Sequence, residues 1–362
     1  MRPTPQSCNP GPAANLAGRA AADGSHREGR LAAVFILFSS LSYFLIQYDR
    51  ARAMGSGLDG WIRGILAGTD AAPNQYRIAL PYLAQFLELH AHLRFNQSLP
   101  LIEATSYAAA LALLYLLFRR SPRVENASPS HRLVLLGLFF AAAQFPVLWI
   151  FPWARPETLP TTFYLAAAVL LVVRRSRMPF AVVCLLTLLL SLLQALERAD
   201  VPVALGAAVL LSAALAVPLP RPRAQTAILG LLAGAAGAAT QLFLAGIAYP
   251  TAAYPSNFSK IQLFTNLNPL VAPLHIPTFL TALFPLIVSV VLLRRHRLPL
   301  EASDALVLLA CLVYLPLWLI TGLMIEVRIF VPFLFLASPT IAKLWGAYLL
   351  DQDNSPSPET AL

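Results

Sequence analysis

Charge is what this chain has least of. Asp, Glu, Lys and Arg make up 12% of its 362 residues, where a soluble domain averages about 25%. A water-facing surface cannot be covered at that density, so an ordinary soluble domain is excluded. Cysteine is scarce too. Cys8, Cys184 and Cys311 are too few and too scattered for a disulfide framework or a metal cluster. Cys184 and Cys311 fall in apolar runs and read as small packing residues. No basic block is present. The net charge of +9 is spread over short loops, which argues against a nucleic-acid partner. No cleavable leader is visible either, since the first apolar run follows thirty residues and reads as a retained anchor.

What the chain has instead is apolar length. Hydrophobic residues account for 58% of it. A helix needs roughly 20 mostly apolar residues to cross the ~30 Å hydrocarbon layer. Ten stretches reach or approach that length: Leu31 to Tyr48, Leu99 to Phe118, Leu133 to Pro152, Leu159 to Val173, Pro179 to Leu196, Val201 to Val217, Ala224 to Tyr249, Pro273 to Leu293, Asp304 to Leu323, and Ile329 to Leu350. The expectation is an all-α, polytopic integral membrane protein with about 10 transmembrane helices. Residues 1–30 and 351–362 are polar or rich in Pro, Gly and Ala, and read as disordered cytoplasmic tails. Residues 31–350 form a single transmembrane domain.

With the N-terminus in the cytoplasm, 17 of the 26 Lys and Arg fall on the inner side, against 8 acids. The outer side carries 9 bases and 9 acids. The basic excess lies inside, as topogenesis requires. Both termini are therefore expected in the cytoplasm, with the chain in the plasma (inner) membrane.

Chemistry-bearing residues gather on the outer side. The first outer loop, residues 49–98, is the longest. Leu58 to Leu66 and Tyr76 to His90 repeat apolar residues every three or four positions, and are expected to lie as interfacial helices. Asp49, Asp59 and Arg77 belong to this loop. His90 and His92, two apart, point to opposite sides of a helix, and no metal site is expected. The turn Phe151 to Pro160 carries Arg155 and Glu157. A later outer loop, Pro250 to Ala272, carries Lys260 and several asparagines, and its length suits a lid or a substrate-facing segment. Between the last two spans almost no loop exists, so Glu326 and Arg328 sit at or just inside the bilayer. Charges at that depth are costly and point to function.

One internal echo joins two of these regions. Arg77-Ile-Ala-Leu-Pro81-Tyr-Leu and Arg328-Ile-Phe-Val-Pro332-Phe-Leu share an Arg-Ile-x-x-Pro-aromatic-Leu pattern. Proline is at ease in the first turn of a helix. The pattern thus places a guanidinium at a helix mouth, where it can hold a phosphate by two parallel hydrogen bonds.

The interfacial loop after the first span, the acid at that span's outer end, the short inner loops and the two Arg–Pro runs resemble the GT-C class of membrane glycosyltransferases, over about Leu31 to Leu350. The resemblance implies transfer of a sugar from a polyprenyl-phosphate donor to an acceptor at the outer leaflet. Asp49 best matches the class's catalytic base, with Asp59 second. Arg77 and Arg328 would hold the donor phosphate, with Arg155 as a third candidate and Glu157 and Glu326 beside them. The resemblance names no cofactor. Structural readings stand alongside. Asp49 can pair with Arg52, Arg77 can snorkel to head groups, and Glu326 with Arg328, or Arg155 with Glu157, can simply brace a turn. A transporter or flippase would instead need a polar path, for which Gln144, Gln194 and Gln241 are the deepest candidates. A non-catalytic membrane protein would need no convergence of charges at all.

Overall fold

The computed structural model describes residues 12–72, 74–150, 156–174, 178–252, 262–270, 272–321 and 326–352. Arg155, Lys260 and residues 253–261 and 271 of the later outer loop lie outside them. The described residues are helical, with no strand among them. Eight helices are long and apolar enough to cross a membrane. Six contain or extend through α1 (Pro12–Met54), α4 (Phe95–Arg119), α6 (Pro129–Gln144), α8 (Phe180–Arg198), α10 (Arg223–Phe243) and α12 (Ala272–Arg295). The last two are α13 (Ala302–Thr321) and α14 (Val331–Gln352). Shorter pieces complete the chain: α2 (Ser56–Leu66), α3 (Ala79–Ala91), α5 (Pro122–Glu125) and α11 (Leu263–Asn266).

The expectation of about ten spans meets a physical limit at two places. α7 (Thr158–Val173, 16 residues) and α9 (Asp200–Ala214, 15 residues) are apolar but short. At 1.5 Å per residue they measure about 24 and 22 Å, less than the ~30 Å of hydrocarbon. α7 explains how a short helix is tolerated: most of its residues are buried in protein, so it need not match the lipid thickness. α9 packs against α10 through glycines. A Cβ on Gly206 would stand 2.6 Å from the Gly230 carbonyl oxygen, and one on Gly237 2.8 Å from the Ala199 carbonyl oxygen. Small residues let helix backbones approach this closely in a membrane.

α1 begins at Pro12, inside the stretch expected as a disordered tail. Alanine is the best helix former, and the run from Ala13 to Ala22 is rich in it. α6 stops at Gln144 because Pro146 removes a helical donor, and a 3₁₀ turn, Phe145–Trp149, follows.

α14 is the central helix and α1 a peripheral one. The apolar window of α14 is 72% buried inside the protein, that of α1 17%. Leu37, Phe38, Leu41 and Leu45 of α1 are left facing outward, as lipid-facing residues must be. The core between α13 and α14 is an aromatic stack of Tyr314, Trp318, Phe330 and Phe333.

The two ends of the bundle are tied differently. At the end away from α2 and α3, Lys343 is buried between two acids, its Nζ 2.6 Å from Asp304 Oδ1 and 2.9 Å from Glu301 Oε2. Ser121 Oγ donates to Glu301 Oε1 at 2.5 Å, and Arg123 donates to the Pro299 and Lys343 carbonyls. Arg221 closes α7 by donating to the Leu171 and Arg174 carbonyls. These contacts fasten interhelix loops. The end under α2 and α3 holds further ion pairs, of Arg77, Arg198 and Arg328.

Candidate functional site

α2 and α3 lie across the end of the bundle. α2 turns Leu58, Ile62 and Ile65 inward and α3 turns Leu80, Pro81 and Ala84 inward, onto Phe95 and Leu99 of α4. Tyr82, Leu83, Phe86 and Leu89 on the other face of α3 are exposed. This is the two-faced arrangement that an interfacial helix needs.

The start of α3 is where the site begins. Its first turn has no cap from its own side chains. Instead Glu197, from the end of α8, accepts from the Leu80 amide at 3.1 Å, and the Ile78 amide donates to the Leu196 carbonyl at 2.8 Å. A buried carboxylate thus meets the positive end of a helix. Arg77, just ahead of that turn, reaches the other way: its Nη1 donates to Glu157 Oε1 at 2.6 Å, at the start of α7. The Arg77 side chain is 22% exposed and Glu157 is 7% exposed. The Arg77 side chain therefore remains partly reachable from outside the protein.

Arg198 adjoins Glu197 and is held on several sides. It donates to both oxygens of Asp200, at 2.7 and 3.4 Å, to the Ile329 carbonyl at 3.2 Å, and to the Tyr314 hydroxyl. Tyr314 in turn donates to Asp200 Oδ2 at 2.6 Å. Ile329 belongs to the 3₁₀ turn Val327–Ile329 that leads into α14, and in that turn Arg328 donates to Glu326 at 2.7 Å. A fourth group stands deeper. Glu103, eight residues into α4, is buried and accepts from Tyr43 of α1 at 2.7 Å, while Gln47 donates to the same Tyr43 hydroxyl at 3.0 Å.

These groups form one electrostatic neighbourhood. Glu157 acts on both Glu103 and Glu197, Arg50 on Glu103, and Arg77 on both Glu197 and Asp200. Carboxylates and guanidinium groups from α1, α4, α7, α8 and α9, with the turns before α3 and α14, therefore share one end of the molecule. A buried polar line leaves this end between α7 and α8. Gln194 Nε2 donates to Thr161 Oγ1 at 2.8 Å, Tyr164 and Ser191 hydroxyls are 3.1 Å apart, and the buried Thr187 hydroxyl lies beyond, with no hydrogen-bond partner among the described residues.

Of the residues singled out in the sequence, Arg77 and Glu157 come together directly. Arg328 and Glu326 pair with each other, and the carbonyl of the next residue joins them to Arg198. The two halves of the Arg–Pro echo thus arrive at the same end, each arginine just ahead of a helix that starts within three residues. Asp49 and Asp59 are exposed, on α1 and α2. Asp49 lies beside Gln47 and Arg50 in sequence but on the outward side of α1. Arg155 lies outside the described residues.

Glu103, Glu197, Arg198, Asp200, Tyr43 and Tyr314 were not singled out from the sequence. A signal was present. Glu103 interrupts an apolar run, and Glu197-Arg198-Ala199-Asp200 separates two spans with no loop between them. The depth rule that picked out Glu326 and Arg328 applies equally to these. Among the described residues no group of three His, Cys, Asp or Glu comes together to hold a metal ion.

The chain matches no family model, no curated protein and no solved structure.

Proposed function

We propose that this is a membrane-embedded transferase that acts on a lipid-linked phosphate substrate. In this reading it moves a sugar from a polyprenyl-phosphate donor to an acceptor hydroxyl at the outer face. It also takes the chain to cross the membrane ten times, counting α7 and α9, with both termini in the cytoplasm. The observation that carries the proposal is the convergence of Arg77, Arg198 and Arg328 with Glu157, Glu197 and Asp200 at the end covered by α2 and α3. Burying charges is costly, and a merely structural bundle does not need so many in one place.

The chemistry needs two things on opposite sides of the sugar: a base for the acceptor and positive charge for the departing phosphate. The acceptor hydroxyl gives its proton to a carboxylate as its oxygen bonds to the anomeric carbon. The bond from that carbon to the phosphate oxygen breaks, and polyprenyl phosphate leaves with the electron pair. Arg77, partly exposed and beside Glu157, suits the phosphate. Arg198 is saturated by protein partners and suits a bracing role. Glu103, buried at the same end of the bundle, suits the base, while Glu157, paired with Arg77 at 2.6 Å, belongs to the phosphate side. Asp49 and Asp59 of the first outer loop are the alternatives for the base.

The test is direct. Purified protein in nanodiscs is given undecaprenyl-phosphate hexoses and pentoses carrying a radiolabelled sugar, and transfer or release of the label is followed. Arg77→Ala is expected to lower turnover about 100-fold, the scale of losing one preorganised charge stabiliser. Absence of turnover above a heat-treated control across the donor panel would sink the proposal.

A second reading is supported by the polar line between α7 and α8. From Glu197 to Thr187 is ten residues, about 15 Å, so it enters roughly half the bilayer thickness. A transporter for an anionic substrate would use such a line. Flux into proteoliposomes with no chemical change in the substrate would favour it over transfer.

A further inference from the structure

A cleft of about 230 Å³ opens on the side of the bundle between α1 and α6, with α4 as its floor. Its lining is unlike that of its surroundings. Ser39, Ser42 and Tyr43 of α1, Tyr107 of α4 and Gln144 of α6 bring five polar side chains to it. Phe38, Ile46 and Val147 complete the lining, and on either side α1 presents Leu37, Leu41 and Leu45 outward. A second lateral cavity, between α6, α12 and α14, is lined by apolar residues, so the polarity of the first is a local property. A hydroxylated cleft on a lipid-facing flank is otherwise a cost, because polar groups turned towards hydrocarbon lack partners.

We infer that this cleft seats the head of a neutral, hydroxyl-bearing lipid that enters sideways from the bilayer. Three observations select that class. The first is hydrogen-bonding capacity. Gln144 uses its amide nitrogen on Ser39, at 2.7 Å, and on Tyr107, at 3.2 Å. Its carbonyl oxygen is left as an acceptor for an incoming hydroxyl. Tyr43 gives its proton to Glu103 and accepts one bond from Gln47, which leaves a further lone pair. The second is charge. No Lys or Arg lines the cleft, and the carboxylate of Glu103 stands behind Tyr43. A phosphate-bearing head would find no counter-charge in the lining. The third is depth. Ser39 to Tyr43 lies near the middle of the apolar run Leu31 to Tyr48, below head-group level. An uncharged alcohol reaches that depth at modest cost, whereas an ionised phosphate does not.

The site is independent of any sugar transfer, although it abuts the charged end through Tyr43 and Glu103. A lipid alcohol bound there would have its oxygen next to a tyrosine hydrogen-bonded to a carboxylate.

The experiment uses the full chain in nanodiscs with a diazirine-bearing diacylglycerol as probe. After irradiation, adducts are mapped by peptide mass spectrometry. They are expected on α1 between Phe38 and Ile46 and on residues 144–147. Unlabelled diacylglycerol should compete, and phosphatidic acid with the same chains should not. Ser42→Trp fills the exposed mouth and should cut labelling at least about fivefold, and Gln144→Leu should act in the same direction. Leu242→Ala, on the exposed face of α10 and away from the cleft, should leave labelling unchanged. Labelling spread evenly along α1, equal competition by phosphatidic acid, or full labelling in both cleft variants with unaltered melting would overturn the inference. Because labelling needs no turnover, a failed transferase assay leaves this result readable by itself.

Discussion

Arg198 and Lys343 are both buried cations, yet they carry different expectations. Arg198 binds Asp200, Tyr314 and the Ile329 carbonyl, and so ties α8 to α13 and to the turn before α14. Removing one partner of a buried pair typically costs 3–5 kcal/mol. Asp200 keeps 37% of its side chain exposed, so Arg198→Ala is expected to cost about 3 kcal/mol, at the lower end of that range. Combined with Asp200→Ala the loss should be less than additive, as a double-mutant cycle in detergent would show. At the opposite end, burial pushes the Glu301 carboxyl up, but the Lys343 ammonium and the Ser121 hydroxyl outweigh it and hold it below its ordinary value of 4.5. A carboxylate lowered in the folded state stabilises the protein above its unfolded value and loses that contribution as pH falls through the folded one. Thermal melts should therefore show the native protein losing stability below about pH 4.5, and Glu301→Gln flattening that acid limb. An unchanged limb in Glu301→Gln would mean that Lys343 draws its stabilisation from Asp304.

Helices in this chain were legible where hydropathy ran long, and hard to read where neighbours decide the outcome. The eight long spans follow from apolar length, and the interfacial α2 and α3 from three- and four-residue spacing. α7 and α9 also appear as apolar runs, but their shortness makes sense only once the surrounding helices are seen to enclose α7 and to meet α9 at glycine. The site was half legible for the same reason. Arg77, Glu157, Arg328 and Glu326 stand out in loops and turns, whereas the carboxylate that caps α3 comes from α8, 117 positions away. No local pattern links Leu80 to Glu197. Asp49, which the end of the first span makes conspicuous in the sequence, is exposed on α1. The α9–α10 contact gives an element-level prediction. A Cβ on Gly206 would sit 2.5 Å from the Gly234 amide nitrogen, a backbone atom that cannot swing aside. Gly206→Ala is expected to cost about 1–3 kcal/mol by overpacking, while Gly137→Ala, with open space around it, should be close to neutral in the same melt. Equal melting of the two variants would mean that α9 and α10 are not in this close contact.

For the molecule as a whole, the proposed orientation makes a simple claim about access. Cysteine replacing exposed His90 on α3 should react with a membrane-impermeant maleimide in intact spheroplasts. Cysteine replacing exposed Arg295, at the far end of α12, should react only after permeabilisation. The reverse pattern would invert the molecule and move the charged end to the cytoplasm.

The shortness of α7 has an electrical consequence. A helix of about 24 Å, sheathed by protein, lets Glu157 and its neighbours lie below the plane of the lipid head groups. In the proposed orientation, an anion that reaches them from the outer side passes into the layer across which the membrane voltage falls. A unit charge crossing all of it exchanges ~2.3 kcal/mol per 100 mV. An anion seated at that depth has crossed part of the drop, against an interior that is negative in a living cell. In the proposed orientation, binding at Arg77 would weaken as the membrane is energised, coupling the site to the membrane's electrical state without any dedicated voltage sensor.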